Sequence, residues 1–96
     1  MGRRATISNR LKRELCAYLV AICGPLVDAE PQVTTEDPPA EEGWAGVVFK
    51  VCVPEQQVRF LVGTSGRNAG AIRRLLRARL RKTGSKCAVD MRVRGL

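Results

Sequence analysis

The chain has 96 residues, 45% of them apolar, and a net charge of +8 at neutral pH. That length supports one domain with one core, and such an excess of cations points toward a polyanionic partner. There is no histidine, and Cys16, Cys23, Cys52 and Cys87 are scattered without a C-x-x-C. A Cys–His or Ser–His nucleophilic pair is therefore excluded, no metal set is spelled out, and the thiols read as reduced core residues of a cytoplasmic protein.

The charge is segregated. Residues 1–14 carry five basic groups and one acid, residues 28–42 carry six acids and no base, and residues 59–94 carry eleven basic groups and one acid. Residues 1–8 read as a basic flexible tail, with a single domain over 9–94. Cations ahead of the apolar run Leu15–Val27 imitate an export signal. Glu14 abuts that run, however, no small-residue cleavage site follows, and the run is too short to span a bilayer. A chain that stays in the cytoplasm, off the membrane, is expected.

Ser8 or Asn9 can cap a first helix, in which Leu11, Leu15, Tyr18, Leu19, Ile22 and Leu26 share one face. Gly24-Pro25 should end or kink it, because a proline ring clashes with the carbonyl four residues back. Gln32–Glu36 alternates as a short edge strand, and Asp37–Gly43 is a turn-rich acidic loop. At its exit the only tryptophan, Trp44, can cover the sheet edge or stack on a base. Val47–Val53 is the clearest strand: Val47, Phe49, Val51 and Val53 take one face, Val48, Lys50 and Cys52 the other.

Pro54 opens a short helix reaching Val62, since proline suits a first helical position. A longer helix over 68–82 puts Ala69, Ile72, Leu75, Leu76 and Leu80 on one arc and Arg67, Arg73, Arg74, Arg77 and Arg81 on the opposite one. Arg79 falls inside the apolar arc, and an acid is the expected partner. Gly84 suits a C-cap, and residues 86–93 alternate as a last strand. A two-helix connection is far longer than a hairpin, so the second and third strands should be parallel neighbours. The sum is an α+β fold, α-β-β-α-α-β, with a three-stranded mixed sheet in order 1-2-3 and three helices on one face. Cys52, late in its strand, and Cys87, early in the next, should lie too far apart to bridge.

Between the last two helices stands Val62-Gly63-Thr64-Ser65-Gly66-Arg67. Two glycines three apart allow a sharp turn with bare N–H groups, and a helix N-terminus begins at the same spot. With Arg67 beside it, this is a phosphate site in outline.

The stretch from Pro54 to Val93 resembles a K homology (KH) domain, the RNA-binding module whose G-x-x-G loop clamps about four nucleotides. Val62-Gly63, Gly66-Arg67 and Ala71-Ile72-Arg73 stand at the positions of the family's V-I-G-x-x-G-R-x-x-x-A-I-R pattern. The likeness is to small bacterial single-KH proteins of the KhpA type and covers roughly residues 10–93. It implies a type II KH fold, and a first helix that runs a turn past Gly24. Thr64 and Ser65 replace the basic residue usual between the glycines, and Phe60 stands where the family usually has a base.

The resemblance implies single-stranded RNA binding without catalysis, as an RNA-chaperone-like protein or post-transcriptional regulator, with no cofactor and no small-molecule substrate. Gly63 and Gly66 would admit the backbone, the Thr64 and Ser65 hydroxyls would hydrogen-bond it, and Arg67, Arg73 and Arg77 would neutralise phosphates, with Asn68 in the same RNA-binding set. Val62 and Ile72 would floor the bases. It also implies a partner: a second copy, or another KH-containing protein in a heterodimer, with Phe60 a candidate contact.

Overall fold

A computed structural model describes residues 7–96. The basic groups of the tail, Arg3 and Arg4, lie outside the described residues. Helix α1 spans Asn9–Cys23, strand β1 Gln32–Glu36, strand β2 Val47–Val53, helix α2 Val58–Val62, helix α3 Arg67–Arg81 and strand β3 Val89–Gly95. The sheet is mixed, in order β1-β2-β3, with β1 antiparallel and β3 parallel to β2.

Each helix end has a local cause. Ser8 caps α1, its Oγ accepting from Leu11 N–H at 3.1 Å, which satisfies one of the four orphan donors. At the other end Gly24 and Pro25 stop the α-helical ladder without stopping the coil. One 3₁₀ turn, Gly24–Leu26, follows directly. Both expectations for this helix therefore hold in part. The switch has a consequence, because a 3₁₀ turn rotates each residue further than an α turn. Leu26, placed on the core arc by α periodicity, comes out 41% exposed, and Cys23 is buried instead.

Pro54 precedes a 3₁₀ turn, Glu55–Gln57, as its N-cap; it is not the first residue of α2. The acidic segment also contains a 3₁₀ turn, Ala40–Glu42, closed by Gly43 in the left-handed region at φ 75°.

The core lies between the helices and one face of the sheet. In register, Val33, Val51 and Val93 line up across the three strands, as do Phe49 and Met91 across β2 and β3. They meet Leu15 and Leu19 of α1, Leu61 of α2 and Ile72, Leu76 and Leu80 of α3. Burial of each large aliphatic or aromatic side chain stabilises the fold by about 1.5–3 kcal/mol. Ile7, assigned from sequence to the tail, is buried in this core. Leu75 is not: it is 46% exposed, because the core stripe of α3 steps from Ile72 to Leu76 and leaves Leu75 a full 100° to the flank. Arg79 pairs with no acid among the described residues; its guanidinium stacks on the Tyr18 ring of α1, 5.4 Å from the centroid, a cation–π contact between packed helices.

All four cysteines are free. Cys52 stands opposite Arg94, while Cys87 precedes β3, whose first residue pairs with Val47. The ends of the ladder keep the two apart. Burial pushes the Cys23 thiol up to about 11 and raises those of Cys16 and Cys87, which disfavours the reactive thiolate. Among the described residues no helix is long and apolar enough to cross a membrane.

Candidate nucleic-acid interface

The turn between α2 and α3 is built from three residues with positive φ. Gly63 has φ 74° and ψ 174°, Ser65 φ 54° and ψ 29°, and Gly66 φ 75° and ψ 16°. The Gly63 combination is essentially restricted to glycine, whereas Ser65 occupies the left-handed region at a modest cost. Space is restricted at Gly63 as well. A Cβ there would lie 2.8 Å from Cγ of Asn68, while one on Gly66 would meet nothing within 4 Å.

Asn68 is what makes Gly63 tight. Its Nδ2 donates to the Phe60 carbonyl at 2.8 Å, tying the first turn of α3 to the last turn of α2. The side chain that the resemblance assigns to the ligand is therefore already used to lock the loop.

The donors of the turn divide into two groups. Gly63 N–H bonds Arg59 O at 2.8 Å, Gly66 N–H bonds Gly63 O at 3.2 Å, and Arg67 N–H bonds Thr64 O. The main-chain N–H groups of Thr64 and Ser65 have no acceptor among the described residues. Their exposed hydroxyls stand beside them. A glycine-framed turn thus presents two neutral main-chain donors at the positive end of a helix dipole, which is an arrangement for an anion.

Cations flank the turn. Arg59 and Arg67 line one hollow with Gly63 and Thr64, and Phe60 and Leu26 supply its apolar wall. Arg59 was not among the sequence-derived candidates. Its signal was present, since it lies one helical turn before Gly63 and on the same side. Its guanidinium rests over the Phe60 ring at 5.1 Å.

Arg73 and Arg77 point elsewhere. Arg73 Nε donates to Met91 O at 2.9 Å and Arg77 Nε to Val89 O at 3.3 Å. Both reach Asp90, at 3.2 and 3.6 Å. β3 is an edge strand, and edges expose unpaired carbonyls that proteins commonly cover. These two arginines cover this one. Val62 ends α2 half-buried, and Ile72 retains only 4% exposure inside the core, so Ile72 can shape a base floor from beneath and offers little surface of its own.

The remaining arginines of α3 form a different stripe. Arg67, Arg74 and Arg81 are seven residues apart and all exposed. Seven steps of 100° return nearly to the start, so they run in one row of about 21 Å. None of the three is in an ion pair among the described residues.

The acidic loop is clasped to the sheet. Arg92 donates through Nη1 to Glu42 at 2.8 Å and through Nη2 to the other carboxylate oxygen, forming a bidentate pair. Trp44 Nε1 donates to the same carboxylate at 3.1 Å. The two donors hold the Glu42 carboxyl down near 2, well below its usual range. Trp44 is thereby fixed with its ring over Gly46, where a Cβ would lie 2.8 Å from Cζ3.

Among the described residues no cluster of three or more potential ligands could hold a metal ion. No model of a known protein family matches the chain, and no curated protein matches it.

Proposed function

We propose that the protein is a type II KH domain that binds single-stranded RNA through the turn at Gly63–Gly66, without catalysis, as an RNA chaperone or post-transcriptional regulator. The observation that carries the reading is the pair of free main-chain donors on Thr64 and Ser65, framed by Gly63 and Gly66 at the start of a basic helix. The element order and the mixed sheet are compatible with that fold. A phosphate approaching the turn meets both N–H groups and both hydroxyls. Arg59 and Arg67 supply charge from the flanks, in place of a base within the loop.

With four aromatic residues in the chain, stacking contributes little along most of the track, so affinity is modest and salt-sensitive. Contact with about four phosphates gives a log–log salt slope near −3 for a single strand. The test is anisotropy of labelled RNA and matched DNA oligomers against the wild type and the double variant Thr64→Asp, Ser65→Asp. The variant should lose binding of oligomers of about four nucleotides and keep its melting temperature. Undiminished binding would remove the turn from the interface.

A second reading rests on Phe60, 44% exposed, and Leu26, 41% exposed, in one hollow beside the turn. Here the chain pairs with a second copy or another KH-containing protein, which raises the effective concentration of weak RNA sites. Sedimentation of Phe60→Ser against wild type separates the two: loss of a dimer with RNA-oligomer affinity intact places pairing at this hollow.

A further inference from the structure

At the far end of α3 from the glycine turn lies an open cleft of about 470 Å³, between the helix and the start of β3. Its wall is Trp44, its rim carries Arg77, Arg81 and Lys86, and Leu80 and Val89 form its floor. The only acid on it is Asp90, which Arg73 and Arg92 also contact. Arg81 and Lys86 are in no ion pair among the described residues. The composition is specific: an indole ring, an apolar floor and two uncommitted cations, within the size range of small-ligand clefts. A nucleotide satisfies all of it, with a π-face for the indole and phosphate for the cations.

The indole is also held in place before any ligand arrives. Its N–H is fixed on Glu42, which Arg92 grips with two hydrogen bonds. A ring held in this way loses little rotamer freedom on stacking. The exposed row Arg67, Arg74, Arg81 joins the glycine turn to this cleft. At 3.4 Å per nucleotide of a stacked strand, its length of about 21 Å corresponds to roughly six nucleotides.

We propose that the Trp44 cleft is a second nucleotide site, taking a unit of the same single strand that the glycine turn holds. The base stacks on Trp44 and the neighbouring phosphates meet Arg81 and Lys86. The inference rests on the RNA reading above and adds a longer footprint: strands that reach the cleft bind more tightly than strands that end at the turn.

Trp44 is the only tryptophan, so its fluorescence reports on the cleft wall without interference from another indole. Oligoadenylates of about four and about ten nucleotides are titrated, with labelled-strand anisotropy reporting total binding. Both lengths should bind, and only the longer should quench Trp44. Trp44→Ala should weaken the longer strand by about five- to 150-fold and leave the shorter unchanged, while Trp44→Phe keeps most of the affinity. A thermal melt of each variant guards against unfolding, and Arg81→Ala, fully on the surface, gives a second weakening that does not alter the Trp44 loop. In the Thr64→Asp, Ser65→Asp protein, the longer strand should still quench at reduced affinity. Binding of both lengths without quenching would overturn the second site and spare the turn. Equal quenching by AMP alone would make the cleft a free-nucleotide site and overturn the strand proposal. No binding by any strand would overturn both.

Discussion

The two glycines of the turn look interchangeable in sequence, and the structure makes them unequal. Gly66→Ala places a side chain at φ 75°, ψ 16°, in open space. The left-handed region costs an L-residue about 1–2 kcal/mol, and the stiffer unfolded chain offsets roughly 0.4–1 of that. The net loss is about 1 kcal/mol. Gly63→Ala meets a backbone region essentially closed to other residues, costing about 1–3 kcal/mol. It also drives a Cβ to 2.8 Å from Asn68 Cγ and 3.0 Å from Asn68 N. The backbone nitrogen cannot swing away, and moving the side chain breaks its bond to Phe60 O, worth about 0.5–1.5 kcal/mol. With the same unfolded-chain offset the sum centres on about 2 kcal/mol, before any added strain from the contact with Asn68 N. For a domain of this size each kcal/mol moves the midpoint by about 4–8 °C. Thermal melts of the purified proteins should show Gly66→Ala within about 8 °C of wild type and Gly63→Ala lowered by about twice as much. Equal shifts would refute the assignment of Gly63 as the sterically constrained member.

The arginines of α3 should separate by stability. Arg73→Ala releases Met91 O and Asp90 and should cost about 1 kcal/mol in urea denaturation, whereas Arg67→Ala should leave stability within about 0.5 kcal/mol and reduce the salt slope of RNA binding by about 0.7. The Glu42 clasp should appear in acid: its carboxyl titrates near 2 in the folded protein against a usual 4.5, so the stability it contributes is complete above pH 4.5 and is lost as pH falls toward 2. Glu42→Gln should flatten that part of the pH–stability curve, and an unchanged curve would mean the clasp does not form in solution.

Most of the fold was legible because its signals were local. Alternation over Val47–Val53 fixed the inner face of β2, and the length of the two-helix connection fixed the parallel partner. What escaped depended on contacts between elements. Leu26 left the core arc because Gly24-Pro25 changed the turn from α to 3₁₀, a switch that counting at α-helical spacing carries past. Arg79 found Tyr18 only because α1 and α3 pack together. Arg73 and Arg77 fall on the basic arc of a helical wheel with the other arginines of α3, and nothing in the wheel shows that an edge strand with two carbonyls to cover lies beside them. Asn68 shows the same limit: its bond spans eight residues and two helices, and from sequence it is one more polar group near the loop.

The division among those arginines bears on how a loop without a basic residue can serve a polyanion. A lysine between the glycines would bring one charge on a flexible stem to the phosphate. Thr64 and Ser65 bring hydroxyls and two N–H groups with no acceptor among the described residues, so in the proposed RNA complex the local contact would be made by fixed dipoles that need no reorganisation. Net attraction must then come from cations held nearby, and the fold supplies them selectively. Asp90 and the β3 carbonyls hold Arg73 and Arg77 on the strand side, while Arg67, Arg74 and Arg81 are left as an uncovered row. Long-range attraction and contact geometry are thereby assigned to different groups. Removing a row arginine should then slow association, and altering Thr64 or Ser65 should speed release, since rim charges act mainly on encounter and close contacts on dissociation.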